Sequence, residues 1–280
     1  MTNNADNEVP ILDGPDGSMP GLGLGTWKLK GDQCVQAVRA ALGMGYNHVD
    51  TAQIYGNEAE VGEGIGSSNA ERSDIFLTTK LWHEWLDEDG VQNSLDGSLE
   101  KLQTDYVDLL LIHWPNRDVP VGETLGAMAE ASEQGKVRHI GVSNFTVSLL
   151  EEATEASDMP IFCNQVEYHP FLSQDPVLGW CRTHNALLVA YSPLARGGIL
   201  EEPRLEEIGK KYDKTAAQVV LRWFMQQPSV VAIPKASSVD HLEENFDIFD
   251  FELGEDEMDA IFGLAKDGRL INPGWAPDWD

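Results

Sequence analysis

IFLTTKLWHEWLDEDGVQNSLDGSLEKLQTDYVDLLLIHW, residues 75–114, is the stretch whose reading decides the fold. It opens on a short apolar run, IFLTTK (75–80), and closes on another, YVDLLLIHW (106–114). Between them lies GVQNSLDGSLEKLQ, whose apolar residues recur at helical spacing. Apolar runs too short for helices, separated by one amphipathic segment, read as strand–helix–strand, the unit of a parallel sheet. The same alternation extends in both directions. LGLG (22–25) and HVD (48–50) precede it; VRHIGVS (137–143), IFCNQVEY (161–168), LLVAYSP (187–193) and VVAIPK (230–235) follow. Helix-like segments such as QCVQAVRAALGMG, TLGAMAEASEQGK and TAAQVVLRWFMQQ lie between the runs. In the first of these, Cys34, Val35, Val38, Ala41 and Leu42 share one face, and Gly43 and Gly45 supply the stop.

Eight such strands, most recurring every ~25–30 residues, predict a (β/α)8 TIM barrel, an α/β fold, with a doubly wound open sheet as the alternative. The long gap before VVAIPK holds two helical segments, LEEIGKKY and TAAQVVLRWFMQQ, so extra helices are expected near the C-terminus. VPILDGPDGSMP (9–20) reads as an N-terminal β-hairpin, and the tail after Asp267 as irregular. With no linker or low-complexity block, residues 1–280 form a single domain in this reading.

Acidic residues number 47 against 19 basic ones, for a net charge of -28. Hydrophobic residues at 42% and eight tryptophans exclude a disordered acidic chain, so the charge must coat a folded surface. Such a surface disfavours nucleic acid and anionic membranes as partners and suits a salt-rich, halophilic setting. No run reaches the ~18 apolar residues of a membrane span. MTNNADNEVP lacks the basic and apolar regions of a signal peptide, so a cytoplasmic location is expected. Cys34, Cys163 and Cys181 form no CxxC and read as core filler; the seven histidines form no HExxH, so no metal is expected.

In a barrel, reactive groups gather where strands end and loops begin. Asp50 closes the second strand and Tyr55 follows it, Lys80 closes the third, and His113 lies near the end of the fourth. A free phenol, with a pKa of about 10, gives its proton poorly at neutral pH. A neighbouring Lys80 ammonium would lower that value, and Asp50 would hold the lysine charged. His113 would hydrogen-bond a substrate carbonyl beside Tyr55, whose proton would go to oxygen as hydride reaches carbon.

At these residues the chain resembles the aldo-keto reductases. The matching stretches are GLGTWK (23–28), GYNHVDTAQIYGNE (45–58), FLTTKLW (76–82), LLLIHWP (109–115), GVSNF (141–145), NQVEYHP (164–170), YSPLARGG (191–198) and IPKASS (233–238). The resemblance implies NAD(P)H-dependent reduction of a small-molecule carbonyl, with Asp50, Tyr55, Lys80 and His113 as the catalytic tetrad. GLGLG (21–25) is no dinucleotide fingerprint, because its glycines do not satisfy GxGxxG; it reads as a tight strand with little side-chain bulk. Ser143, Asn144 and Gln165 carry groups that suit a carboxamide, and matching family residues hold the nicotinamide amide. Tyr191 would stack on the ring, and the 192–198 loop, with Ser192 and Leu194, would offer backbone N–H groups to pyrophosphate. Lys235 and Ser237 match residues around the adenosine 2′-phosphate, and Glu244 and Asn245 match those facing the adenine. The family's common motif has Ser directly after the Lys and an Arg further on; this chain has Ala236 and His241 there. NADPH is therefore expected, with NADH as the alternative. Trp27, Trp82 and Trp114 would line an aromatic substrate pocket, and the tail from Gly268 leaves little chain for a selective lid. Alternatives to a reductase are an NAD-dependent alcohol or sugar dehydrogenase and a non-catalytic cofactor-binding regulatory barrel. A monomer is expected, as for many relatives.

Overall fold

The computed structural model describes residues 9–280. The chain begins with an antiparallel hairpin of β1 (Ile11–Asp13) and β2 (Ser18–Pro20). Then come β3 (Leu24–Gly25), α1 (Gly31–Met44), β4 (His48–Asp50), α2 (Glu58–Gly66), β5 (Phe76–Leu81), α3 (Glu88–Leu102) and β6 (Val107–Ile112). Next are α4 (Val121–Glu133), β7 (Val137–Ser143), α5 (Val147–Ala156), β8 (Ile161–Glu167), α6 (Asp175–Thr183) and β9 (Leu187–Tyr191). The chain continues through α7 (Pro203–Tyr212), α8 (Ala216–Met225), β10 (Val230–Ala232), α9 (Val239–Phe246) and α10 (Glu255–Phe262). The extra helices expected near the C-terminus are present. A Gly45 φ of 107° ends α1, with its N–H on the Ala41 and Leu42 carbonyls. Gly43 lies inside that helix and is not part of the stop.

Strands β3 to β10 form one sheet in sequence order, every neighbouring pair parallel. A parallel bridge between Leu22 and Ala232 joins the first strand to the last. Gly23 N donates to Ala232 O at 2.9 Å, Ala232 N to Gly21 O at 2.8 Å and Gly25 N to Pro234 O at 3.0 Å. The sheet is therefore a closed (β/α)8 barrel, not an open doubly wound sheet. Little bulk is tolerated at the seam: a Cβ on Gly25 would lie 2.7 Å from Ile233 O, and one on Gly23 2.4 Å from His48 Nδ1.

Side-chain alternation along the strands divides the core in two. Leu109, Leu111, Leu187 and Val189 fill the barrel interior with Phe162 and Met19. Leu110, Ile112, Leu188 and Ala190 face the helices instead. Both faces are buried, which explains why these strands read as continuous apolar runs. The hairpin corks the lower end of the barrel: Met19 enters the interior cluster, and Asp16 meets His139 Nδ1 at 3.0 Å. Side-chain caps set several helix starts, Asp87 accepting from Gly90 N at 2.7 Å and Thr215 with Gln218 forming a capping box. Among the described residues no helix is long and apolar enough to cross a membrane.

His48 is fully buried beside the seam, and burial lowers its pKa to about 4. The unfolded imidazole takes a proton near the ordinary 6.5, so folding loses stability as pH falls from there toward 4. A His48→Leu variant should remove that part of the pH dependence, flattening the profile by about 3 kcal/mol. Chemical denaturation at intervals across that range measures it; an unchanged slope would count against the assignment.

Candidate active site

The upper strand ends bring four titratable side chains together. Asp50 is the last residue of β4, and the chain then turns through Gln53–Tyr55, which delivers the phenol back over the barrel. Lys80 lies one residue before the end of β5, and His113 follows β6 directly. Lys80 Nζ sits 2.5 Å from Asp50 Oδ1 and 2.8 Å from the Thr51 carbonyl oxygen, with both charged groups buried. The ammonium lies 5.2 Å from the centroid of the Tyr55 ring. The Tyr55 and His113 rings meet edge to face, centroids 5.7 Å apart at 78°. Lys30 Nζ donates to the Tyr55 carbonyl, which fixes the turn.

The electrostatics differ from the sequence expectation in one respect. Burial drives the Tyr55 phenol well above its usual pKa, and Asp50 and Tyr191 push it further the same way. Lys80, engaged by Asp50 Oδ1 and the Thr51 carbonyl, does not offset that rise. Burial also pulls the Lys80 ammonium down while Asp50 opposes the shift. His113 is held well below the imidazole range by burial first and by Lys80 and His83 next. At neutral pH the pair facing the mouth is thus a protonated phenol and a neutral imidazole. Such a pair can donate two hydrogen bonds to one oxygen.

Behind the tetrad, Gln165 Nε2 donates to Asp50 Oδ2 at 2.8 Å, which completes that carboxylate. Ser143 Oγ donates to Gln165 O at 2.8 Å. Asn144 donates to His113 O at 2.9 Å and to Ser143 Oγ at 3.0 Å, and its Oδ1 accepts from the Tyr191 hydroxyl at 2.7 Å. The three polar residues and Tyr191 therefore form one network around His113 and Asp50. Asn144 has a left-handed backbone (φ 64°), which turns its amide inward. In the next loop Ser192, Ala195 and Arg196 all have positive φ, with Gly197 at 94°. Such a run of strained residues persists only where its surroundings fix it. Arg196 lies over the Trp27 ring, 4.9 Å to the centroid, and so does Lys28 Nζ at 4.3 Å.

Lys235, Ser237, His241, Glu244 and Asn245 follow one another from the end of β10 to the last turn of α9. Lys235 and His241 are exposed; Ser238 caps α9 by accepting from His241 N at 3.3 Å. Gln33 ties this corner to α1 through the Ser237 carbonyl at 3.1 Å, and Glu244 is engaged by Thr215 Oγ1 at 2.8 Å.

The family model described as "Aldo/keto reductase family" matches residues 21–266. The chain belongs to the aldo/keto reductase family. It is 42% identical over 267 residues to a methylglyoxal reductase, DkgB, of Escherichia coli O157:H7, covering 94% of this chain and 100% of that one. It is 43% identical to the glyoxal reductase of Bacillus subtilis strain 168, covering 90% and 91%. A crystal structure of the Bombyx mori aldo-keto reductase in complex with NADP matches with a TM-score of 0.89 at 32% identity, over 97% of this chain and 98% of that one. As a member of the family, this protein is an NAD(P)H-dependent aldo-keto reductase.

In this aldo-keto reductase the three expected tryptophans occupy different settings. Trp82 is half-buried with its ring edge-on to His113 at 5.5 Å, and Trp114 is buried. Trp27 is 38% exposed and carries Lys28 and, from the 192–198 loop, Arg196. The tail packs beside two of these residues. Trp275 stacks on His83 at 5.6 Å, Trp279 meets Trp114 at 6.1 Å, and Asp280 Oδ2 accepts from Val147 N at 3.0 Å. A short irregular segment suffices because aromatic anchors, not length, hold it in place. Sequence reading missed these anchors together with Glu167, whose carboxylate receives Leu270 N and Ile271 N at 2.7 and 2.8 Å. The count of tryptophans near the end of the chain was the one available signal.

Proposed function

We propose that this enzyme reduces small aldehydes and ketones, dicarbonyls included, to alcohols with NADPH, Tyr55 acting as general acid. The observation that carries the reading is the convergence of a protonated Tyr55 and a neutral His113 above the Lys80–Asp50 pair. Tyr55 and His113 would each donate a hydrogen bond to the carbonyl oxygen, and Tyr55 would give up its proton as negative charge develops there. Lys80, fixed by Asp50 with its ammonium 5.2 Å from the ring centroid, would offset part of the charge left on the phenolate. Trp82 and Trp114 would exclude water and hold an apolar substrate against that pair. Relatives named as glyoxal and methylglyoxal reductases support small dicarbonyls as substrates.

The residues around the mouth fit a nicotinamide dinucleotide. Lys28, Arg196 and Lys235 are cations on an acidic chain, and the left-handed residues of the 192–197 segment would let its backbone N–H groups meet an anion. When bound, NAD(P)H supplies the hydride. Ser143, Asn144 and Gln165 would hold its carboxamide, exchanging part of their mutual hydrogen bonds, and Tyr191 would support the ring. Ser192 and Leu194 would lie along the pyrophosphate. Lys235, Ser237, His241, Glu244 and Asn245 would take the adenosine end. The raised Tyr55 pKa keeps the phenol protonated at neutral pH, the form that reduction needs.

The test is a matrix of kcat/KM for methylglyoxal, glyoxal and a neutral aromatic aldehyde, each with NADPH and NADH, in dilute buffer and in molar potassium chloride. Turnover of the dicarbonyls with NADPH preferred is expected, with higher stability in salt if the acidic surface is a salt adaptation. A preference for NADH of about tenfold, equal to about 1.4 kcal/mol, would reverse the cofactor assignment.

A further inference from the structure

Glu58 is a buried carboxylate that the reaction outlined above leaves unused. It is the first residue of α2, shortly after Tyr55 in the chain, and is 2% exposed. Its Oε1 accepts from Thr79 Oγ1 at 2.7 Å, while its Oε2 is buried and has no hydrogen-bond partner. Among the described residues its ion pair is with Lys101 Nζ at 3.8 Å, and that lysine side chain is 59% exposed. A carboxylate taken out of water with one oxygen unsatisfied and a loosely held counter-ion costs stability. Glutamine would serve a packing role at this place equally well, so the charge calls for another account.

What stands across the barrel wall supplies it. Thr79 shares the outer face of β5 with Leu77 and Leu81, which pack among the helices. Lys80 alternates with them, on the face of Phe76, and points into the barrel. The Glu58 carboxylate therefore lies behind the strand whose front carries the ammonium held by Asp50. Charges on the two sides of a buried strand act on each other with little screening. Residues 51–58 also carry Tyr55 between two tethers to β5, the Thr51 carbonyl on Lys80 and Glu58 on Thr79.

Burial pulls the Lys80 ammonium down, and Asp50 first, then Cys163 and Glu58, oppose that shift. The groups facing Lys80 are thus Asp50 from β4, Cys163 from β8, His113 after β6, Tyr55 from the turn and Glu58 from α2. Burial keeps the Cys163 thiol neutral by raising its pKa, and His113 is neutral as well. Glu58 is the second carboxylate of that set. We propose that Glu58 is a positioning residue acting through Lys80: its charge, braced on Thr79 behind β5, keeps the ammonium charged beside Tyr55 as pH rises. The proposal rests on the reading of Tyr55 as the proton donor in carbonyl reduction.

The experiment uses the full chain with NADPH and a neutral aromatic aldehyde, followed from neutral pH into alkali. Glu58→Gln keeps an acceptor for Thr79 and removes the charge; Glu58→Asp keeps the charge and is too short to keep that contact. Glu58→Gln should move the alkaline limb of kcat/KM about one pH unit lower, a loss of about tenfold at a fixed pH on that limb. Its neutral plateau should stay within about threefold of wild type, and its denaturation midpoint should stay close to wild type. Glu58→Asp should keep the wild-type limb although its midpoint falls. The reverse order, with Gln following the wild-type profile and Asp losing activity at every pH, would mean that only the contact matters, and the proposal fails. An unchanged limb in both variants overturns it as well. A second measurement needs no turnover. Lys80→Met should lower the denaturation midpoint more in wild type than in a Glu58→Gln background, because Glu58 and Asp50 are otherwise left without the cation between them. Equal drops would overturn the proposal; where Lys80→Met does not fold, the order of the two Glu58 profiles decides. Absence of turnover in wild type, with the unequal drops present, would overturn the reductase reading alone.

Discussion

Tyr55→Phe should lower kcat/KM for carbonyl reduction about a thousandfold while leaving the fold and cofactor binding intact. The expectation rests on what the hydroxyl touches. The ring is placed by the turn, by Lys30 on its backbone carbonyl and by the edge of His113, none of which needs the phenol oxygen. Phenylalanine keeps those contacts and removes only the proton. Steady-state kinetics and a thermal melt, run side by side, separate the two effects; residual activity within tenfold of wild type would exclude Tyr55 as the acid. The pH profile adds a sign. Burial and Asp50 raise the Tyr55 pKa, so the acid form persists through the neutral range into alkali. Reduction should stay flat across that range, and oxidation of an alcohol, which needs the phenolate, should rise with pH.

Lys80→Met should have the largest effect on stability. Lys80 and Asp50 are both buried, and the lysine's donors are spent on Asp50 Oδ1 and the Thr51 carbonyl. Removing the cation leaves Asp50 in a dry site with one remaining donor, Gln165 Nε2. Breaking a buried pair from one side costs about 3–5 kcal/mol. Asp50→Asn should cost less, since the amide oxygen can still accept from Lys80. A double variant, Lys80→Met with Asp50→Leu, should recover part of the stability and none of the activity. Denaturant titrations of the three variants decide this; a single variant as stable as wild type would mean the pair is not held as tightly as its geometry states.

The barrel was legible because its strands are buried on both faces. Continuous runs such as VDLLLI and LLVAY leave few other readings, and in a closed barrel every strand carries its reactive residue to the same end. That geometry placed Asp50, Tyr55, Lys80 and His113 from position alone. The tail was illegible for the opposite reason. Arg269, Trp275 and Trp279 stand in irregular chain with no periodicity, and Glu167 is satisfied by backbone groups more than a hundred residues away, which no side-chain pattern announces. The direction of the Tyr55 shift was missed because adjacency to Lys80 is visible in strand order, whereas the competing claims of Asp50 and Thr51 on that lysine are not.

The barrel's seam has a mechanical consequence. Between β3 and β10 the wall is stitched by a few backbone hydrogen bonds around Leu22 and Ala232, with Gly23 and Gly25 offering no side chains to interlock. Lys28 and Trp27 stand on one lip of that joint, and Lys235 stands on the other. A long ligand gripped at both lips would act as a rivet across the weakest line in the wall. Occupancy of the mouth and integrity of the barrel would then be one property.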